Sequence, residues 1–266
     1  MTDTTRRQPR GDTESPGAKE EEEQLGPIRT YLRDSRNLLN SLILVIPLFV
    51  IYQVGILTTD GVRNGVDFIT GFLRFQLFAG NSVHYLLFNL GVLAALGVAI
   101  AYLSRSQRFN PKTFIFIALE GTLYGLLLGG FISSVLLNIG IEPSLSALAP
   151  LNTSDGLGIL DNFILSIGAG LYEELVFRLI LLGGSVWVMT KALKLPELPS
   201  LIGAILATSV LFSAIHYVGN MADAFEIYSF MFRFLAGIIF AVIFYVRGFA
   251  VAVYTHAIYD IIVTVF

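Results

Sequence analysis

The sequence predicts an all-α fold: a polytopic membrane helix bundle of about seven transmembrane helices, with eight as the alternative. Three observations carry this. Hydrophobic residues make up 55% of the 266 and charged residues 14%, whereas a soluble domain averages about 25% charged. The charges are crowded at the start: residues 1–38 hold 7 of the 17 Lys and Arg and 8 of the 20 Asp and Glu, leaving 10 basic and 12 acidic side chains for the other 228 residues. The rest of the chain divides into apolar stretches, each near the roughly 20 residues that cross a bilayer.

Residues 1–27, with "ESPGAKEEEEQLG" at 14–26, are a polar N-terminal tail expected to be disordered, because they lack apolar periodicity. No signal peptide is apparent in this stretch, so the first apolar segment is expected to act as an uncleaved anchor. Residues 28–37, "IRTYLRDSRN", suit a short amphipathic lead-in on the membrane surface. The predicted spans are 39–58, 84–104, 113–138, 162–190, 200–218, 226–246 and 249–266. The stretch 66–79, "VDFITGFLRFQLFA", is short and carries Arg74. It is expected to be interfacial or re-entrant, or else the eighth span. Residues 139–161 form the longest internal loop. Residues 28–160 are assigned to N-terminal transmembrane helices and 161–266 to the helices that carry the chemistry.

Loop charges give an orientation. Arg29, Arg33, Arg36, Arg105, Arg108, Lys112, Lys191, Lys194 and Arg247 fall on one side of the seven-span layout, against Arg63 and Arg74 on the other. Under the positive-inside rule the N-terminus is cytoplasmic, in a multi-pass protein of the cell membrane. A net charge of −3 gives no footprint for nucleic acid. The expected partners are membrane lipids and a peptide or protein substrate, lipidated or not. With no cysteine in the chain, disulfides, thiolate nucleophiles and Cys-ligated metals are excluded.

Charged groups inside a span are costly, about 2.5–3.5 kcal/mol each on insertion scales, and mark function or pairing. Here they cluster. "GAGLYEELVFRLIL" (168–181) holds Glu173, Glu174 and Arg178. "LFSAIHYVG" holds Phe212 and His216, and "VYTHAIYDII" holds His256 and Asp260. Glu174 and Arg178 are four apart and share a helix face, so they can neutralise each other. Glu173 is turned by about 100° and points elsewhere. His256 and Asp260 project together, as do Phe212 and His216. Two histidines and two carboxylates are the inventory of general acid–base chemistry or of a metal site. Polar residues that merely join helices are the competing explanation, strongest for Glu174 with Arg178. Glu120 and Arg233 are expected to be structural, paired with each other or with this cluster. His84 is expected at the membrane interface, and Trp187 and Tyr217 in an aromatic belt.

"EELVFR", "FSAIH" and "HAIYD" resemble the EExxxR, FxxxH and HxxxN/D motifs of the CPBP family: the CAAX-protease and bacteriocin-processing, Abi-like intramembrane proteases, including type II CAAX prenyl endopeptidases. The resemblance covers residues 160–266. It implies a glutamate-dependent endopeptidase that hydrolyses a peptide bond near the membrane. By position it implies that Glu173 is the general base and His216 helps hold the water. It implies that His256 and Asp260 stabilise the oxyanion, while Glu174, Arg178 and Phe212 support the site. Asp260 stands where Asn would donate at any pH, so orienting His256 is its alternative role. No resident cofactor is expected; the alternative is zinc or a similar divalent ion on Glu173, His216, His256 and Asp260, without the zincin motif HExxH. Other functions are a catalytically silent scaffold or bacteriocin-immunity protein, and a proton-coupled transporter. The transporter is disfavoured because all the chemistry lies in one half of the chain. The orientation puts the mouth of the site in the outer half of the membrane, under the 139–161 loop.

Overall fold

The computed structural model describes residues 16–58, 72, 77–144, 158–218 and 222–265. Among these there is no strand; the elements are α1 (Pro16–Ser35), α2 (Leu38–Thr58), α3 (Ser82–Leu103), α4 (Lys112–Asn138), α5 (Ile159–Ala192), α6 (Glu197–Ile215), α7 (Ile227–Arg247) and α8 (Phe249–Val265). Helices α2 to α7 are each long and apolar enough to cross a membrane, and α8 is a shorter apolar helix. The chain is a multi-pass helical membrane protein. Most of the 66–79 stretch and most of the 139–161 loop lie outside the described residues.

Helix α1 begins at Pro16, inside the stretch expected to be disordered. Gly26 interrupts it with φ +70, a left-handed conformation that a side chain would resist. The C-terminal part of α1 is tied down. Tyr31 donates to the Glu120 carboxylate of α4, and Asn110 Nδ2 donates to Asp34 at 2.9 Å. Asn40 of α2 donates to the Asp34 carbonyl at 2.8 Å.

Helix α8 is the centre of the bundle, packed by α4, α5, α7 and α2. Ala250, Val251, Ala252, Val253 and Thr255 are fully buried, and His256 and Ala257 nearly so. Small residues on the neighbours permit this. Gly121, Gly125 and Gly129 line one face of α4, the small-xxx-small spacing that lets helix backbones approach in lipid. A Cβ at Gly125 would lie 3.2 Å from the Tyr259 nitrogen. On α5, a Cβ at Gly170 would lie 2.6 Å from both the nitrogen and Cβ of Ala257. The close approach of α5 and α8 thus sets His256 against Glu173 and Glu174. Large exposed hydrophobics on α3 and α4, such as Leu87, Leu90, Leu119 and Leu127, form the lipid-facing surface that a membrane helix requires.

Candidate active site

Helix α5 changes character at the motif. It is α-helical to Glu173 and then takes i→i+5 geometry over Glu174–Leu182. Such widened turns are frequent at functional sites. Glu173, Glu174 and Arg178 are all buried, at 2%, 0% and 2% exposure.

Glu174 and Arg178 pair as the spacing predicts, with Nη1 to Oε1 at 3.0 Å. The pair is not closed on itself. His256 Nδ1–H donates to the same Glu174 oxygen at 2.7 Å, because an ionised carboxylate can only accept. Arg178 also donates Nη2–H to the Gly237 carbonyl of α7 at 3.4 Å. Its guanidinium lies 4.3 Å from the centre of the Phe212 ring and 5.3 Å from that of Phe240, a cation–π packing suited to a desolvated arginine.

Phe212 is the hub of this shell. Its ring meets Phe177 edge-on at 5.3 Å, His216 at 5.4 Å and His256 at 5.9 Å. Phe240 stacks on the His256 imidazole at 4.4 Å and 15°. The FxxxH spacing therefore supplies both a ring support and a histidine. Nothing in the sequence marked Phe240, one of 21 phenylalanines.

Both histidines turn Nε2 inward. His216 Nδ1–H donates to the Phe212 carbonyl at 2.8 Å, which fixes its tautomer because a carbonyl only accepts. Its Nε2 lies 3.9 Å from Glu173 Oε2, and His256 Nε2 lies 3.8 Å from that same oxygen. Asp260 Oδ2 completes the set at 3.5 Å from His256 Nε2. Glu173, His216, His256 and Asp260 are thus brought together from three helices, α5, α6 and α8. His216, the residue that ends α6, is the more open of the two histidines; its side chain is 21% exposed, against 5% for His256.

The donors do not fit a metal ion as they stand. Among the described residues no group of three His, Asp or Glu side chains is spaced to hold one. The Nε2–Oε2 separations of 3.8 and 3.9 Å exceed the roughly 3.3 Å between two ligands of a tetrahedral zinc with bonds of about 2.0–2.1 Å.

Glu120 and Arg233 do not pair with each other. Glu120 accepts from Arg247 Nε at 2.7 Å and Nη2 at 2.9 Å, and from the Tyr31 and Tyr124 hydroxyls. That cluster joins α1, α4 and α7 away from the site. Arg233 of α7 holds Asp223 at 2.5 Å, the Tyr217 hydroxyl at 3.1 Å and Ser229 Oγ at 3.0 Å. Tyr217 packs on Phe225 and Phe230; besides any interfacial role, it joins the segment after α6 to α7.

Buried acid–base groups on transmembrane helices define a membrane protein with an enclosed polar site. Residues 156–262 match the family described as Type II CAAX prenyl endopeptidase Rce1-like. The match runs from the start of α5 into α8 and contains all three motifs, so this C-terminal part of the chain is similar to the CAAX-protease family of membrane proteases. Comparison with curated proteins and with solved structures finds no match.

Proposed function

We propose that the protein is a glutamate-dependent intramembrane endopeptidase that hydrolyses a peptide bond near the membrane, in the manner of CAAX prenyl proteases. One observation carries this reading: Glu173 Oε2 lies 3.9 Å from His216 Nε2 and 3.8 Å from His256 Nε2, inside an apolar bundle. A water about 2.8 Å from both Glu173 Oε2 and His216 Nε2 would subtend about 90° between them, near the angle of its own two O–H bonds. Donating one proton to each acceptor leaves its lone pair free to attack.

In this mechanism Glu173 takes the proton as the water oxygen bonds to the scissile carbonyl carbon. The carbonyl electrons move to oxygen, and the tetrahedral intermediate needs donors there. His256 is committed at Nδ1 to Glu174, so it donates from Nε2 as the imidazolium, flanked by Glu174 and Asp260. Collapse breaks the C–N bond, and Glu173 returns its proton to the leaving amine. The role of Glu174 is to hold His256 as well as Arg178. The site works on water without a resident metal. The N-terminus is cytoplasmic, in the cell membrane, on the strength of the loop charges. Proteomics of membrane peptides from cells carrying the unaltered protein or Glu173→Ala tests the activity. Peptides that vanish in the variant support it; identical profiles overturn it.

A further inference from the structure

Arg233 lies at the rim of the site. Its side chain is 26% exposed. Tyr217, which follows His216 directly, accepts from Nη1, as does Ser229. These two bonds hold the guanidinium fork in one orientation. Nη2 is left to a single carboxylate oxygen of Asp223. Asp223 is 54% exposed and sits on the segment between α6 and α7, its N–H bonded to the His216 carbonyl at 3.0 Å. Exposed pairs of this kind are weak and exchange readily.

The site itself is rich in carboxylates: Glu173, Glu174 and Asp260. Arg178 is spent on Glu174 and sealed from solvent. A peptide that brings its own carboxylate to this rim meets repulsion unless a cation offsets it. A guanidinium suits that task, since its fork matches a carboxylate.

Resting on the peptidase reading above, we propose that Arg233 is a specificity-determining residue that binds a carboxylate of the peptide substrate, and that Asp223 is the built-in occupant which the substrate displaces. The carboxylate comes from the chain terminus or from an acidic side chain close to the cleaved bond.

Three fluorescent peptides test this. Each carries a farnesylated cysteine followed by three residues. One ends in a free carboxylate, one in an amide, and one is the amide with Asp as its last residue. Binding is measured in neutral detergent on the Glu173→Gln protein, and cleavage on the unaltered protein. The free carboxylate is expected to bind about tenfold more tightly than the amide, the loss typical of one charged hydrogen bond. Arg233→Gln, in the Glu173→Gln background, should level the two forms, and Arg233→Lys should restore part of the difference. Asp223→Asn should tighten the carboxylate form alone. Tight binding of the Asp amide assigns an acidic side chain as the source; its weak binding assigns the terminus. Equal binding of all three peptides, no binding of any, or a preference that survives Arg233→Gln overturns the proposal. Carboxylate-dependent binding without any cleavage by the unaltered protein would instead sink the peptidase reading and leave the carboxylate site standing.

Discussion

His256 and Glu174 are joined by a 2.7 Å hydrogen bond from Nδ1 to Oε1, and the same oxygen lies 3.0 Å from Arg178. The second glutamate of the motif therefore governs the histidine as well as the arginine. Glu174→Gln strands a buried guanidinium and replaces the anion that orients His256. It is expected to cost about 3–5 kcal/mol of stability, as for a broken buried pair. Glu173→Gln keeps the shape but removes the base, so activity should fall by about 10²–10⁴-fold at an unchanged melting temperature. Thermal melts in detergent beside a peptide-cleavage assay separate the two. Normal stability in Glu174→Gln would break this division.

Asp260 is the residue whose role the geometry narrows. Its Oδ2 lies 3.5 Å from His256 Nε2, beside the atom assigned to the oxyanion. If it serves as a donor there, Asp260→Asn should keep activity within about tenfold, while Asp260→Ala should lose about 10²–10³-fold, the usual effect of deleting one such donor. Steady-state rates at matched stability decide. An Asn variant as dead as the Ala variant would assign Asp260 to charge on His256 instead.

Without a resident metal, purified protein should hold well under one zinc per chain by elemental analysis. It should keep its activity after dialysis against a chelator. One tightly held ion per chain, with activity restored only by its return, would require the histidines to move closer to Glu173 than 3.8 Å.

The parts of this site that stood out in the sequence are those that cost most to bury. Glu173, His216, His256 and Asp260 are conspicuous because charged and titratable groups rarely sit inside apolar runs. Six of the predicted spans were legible for the same reason, since hydropathy and length are local properties, while the last falls on α8, a shorter apolar helix. The bond between His256 and Glu174 was not, because it depends on how two helices 82 residues apart in sequence are rotated. Phe240 carried no signal, as one phenylalanine among many on a lipid-facing scale. Glu120 was expected to pair with Arg233 or with the site cluster, but its partner Arg247 lies 127 residues away and no spacing rule reaches it. One cue was present and unused: "GTLYGLLLG" puts glycines at 121, 125 and 129, which foretells a close neighbour.

That close packing is testable at Gly170. A methyl group there would sit 2.6 Å from Ala257, the residue after His256. Gly170→Ala should push α8 away, costing about 1–3 kcal/mol of stability by overpacking, and should lower activity by shifting His256. Gly91→Ala is the control, since a Cβ at Gly91 meets nothing within 4 Å. Melting temperatures and cleavage rates of the two variants check this. Equal tolerance of both would mean that α5 and α8 do not approach so closely.

The side on which the site opens is predicted from α4 and the segments at its two ends. Helix α4 has 27 residues, about 40 Å at 1.5 Å per residue, so residues 106 and 142 lie on opposite faces of the membrane. The site belongs with the 142 face: Ser144 N–H donates to Glu226 at 2.7 Å, and Glu226 ends the segment that starts at His216. The basic residues Arg105, Arg108 and Lys112 crowd the other face, which the positive-inside rule assigns to the cytoplasm. A single cysteine introduced as Glu142→Cys, in a chain that has none, should therefore react with a membrane-impermeant maleimide on intact cells. Ser106→Cys should react only after the cells are opened. Both positions are exposed, so a lack of labelling is not a matter of burial. The reverse pattern would turn the bundle over, face the site to the cytoplasm and make cytosolic protein tails its substrates.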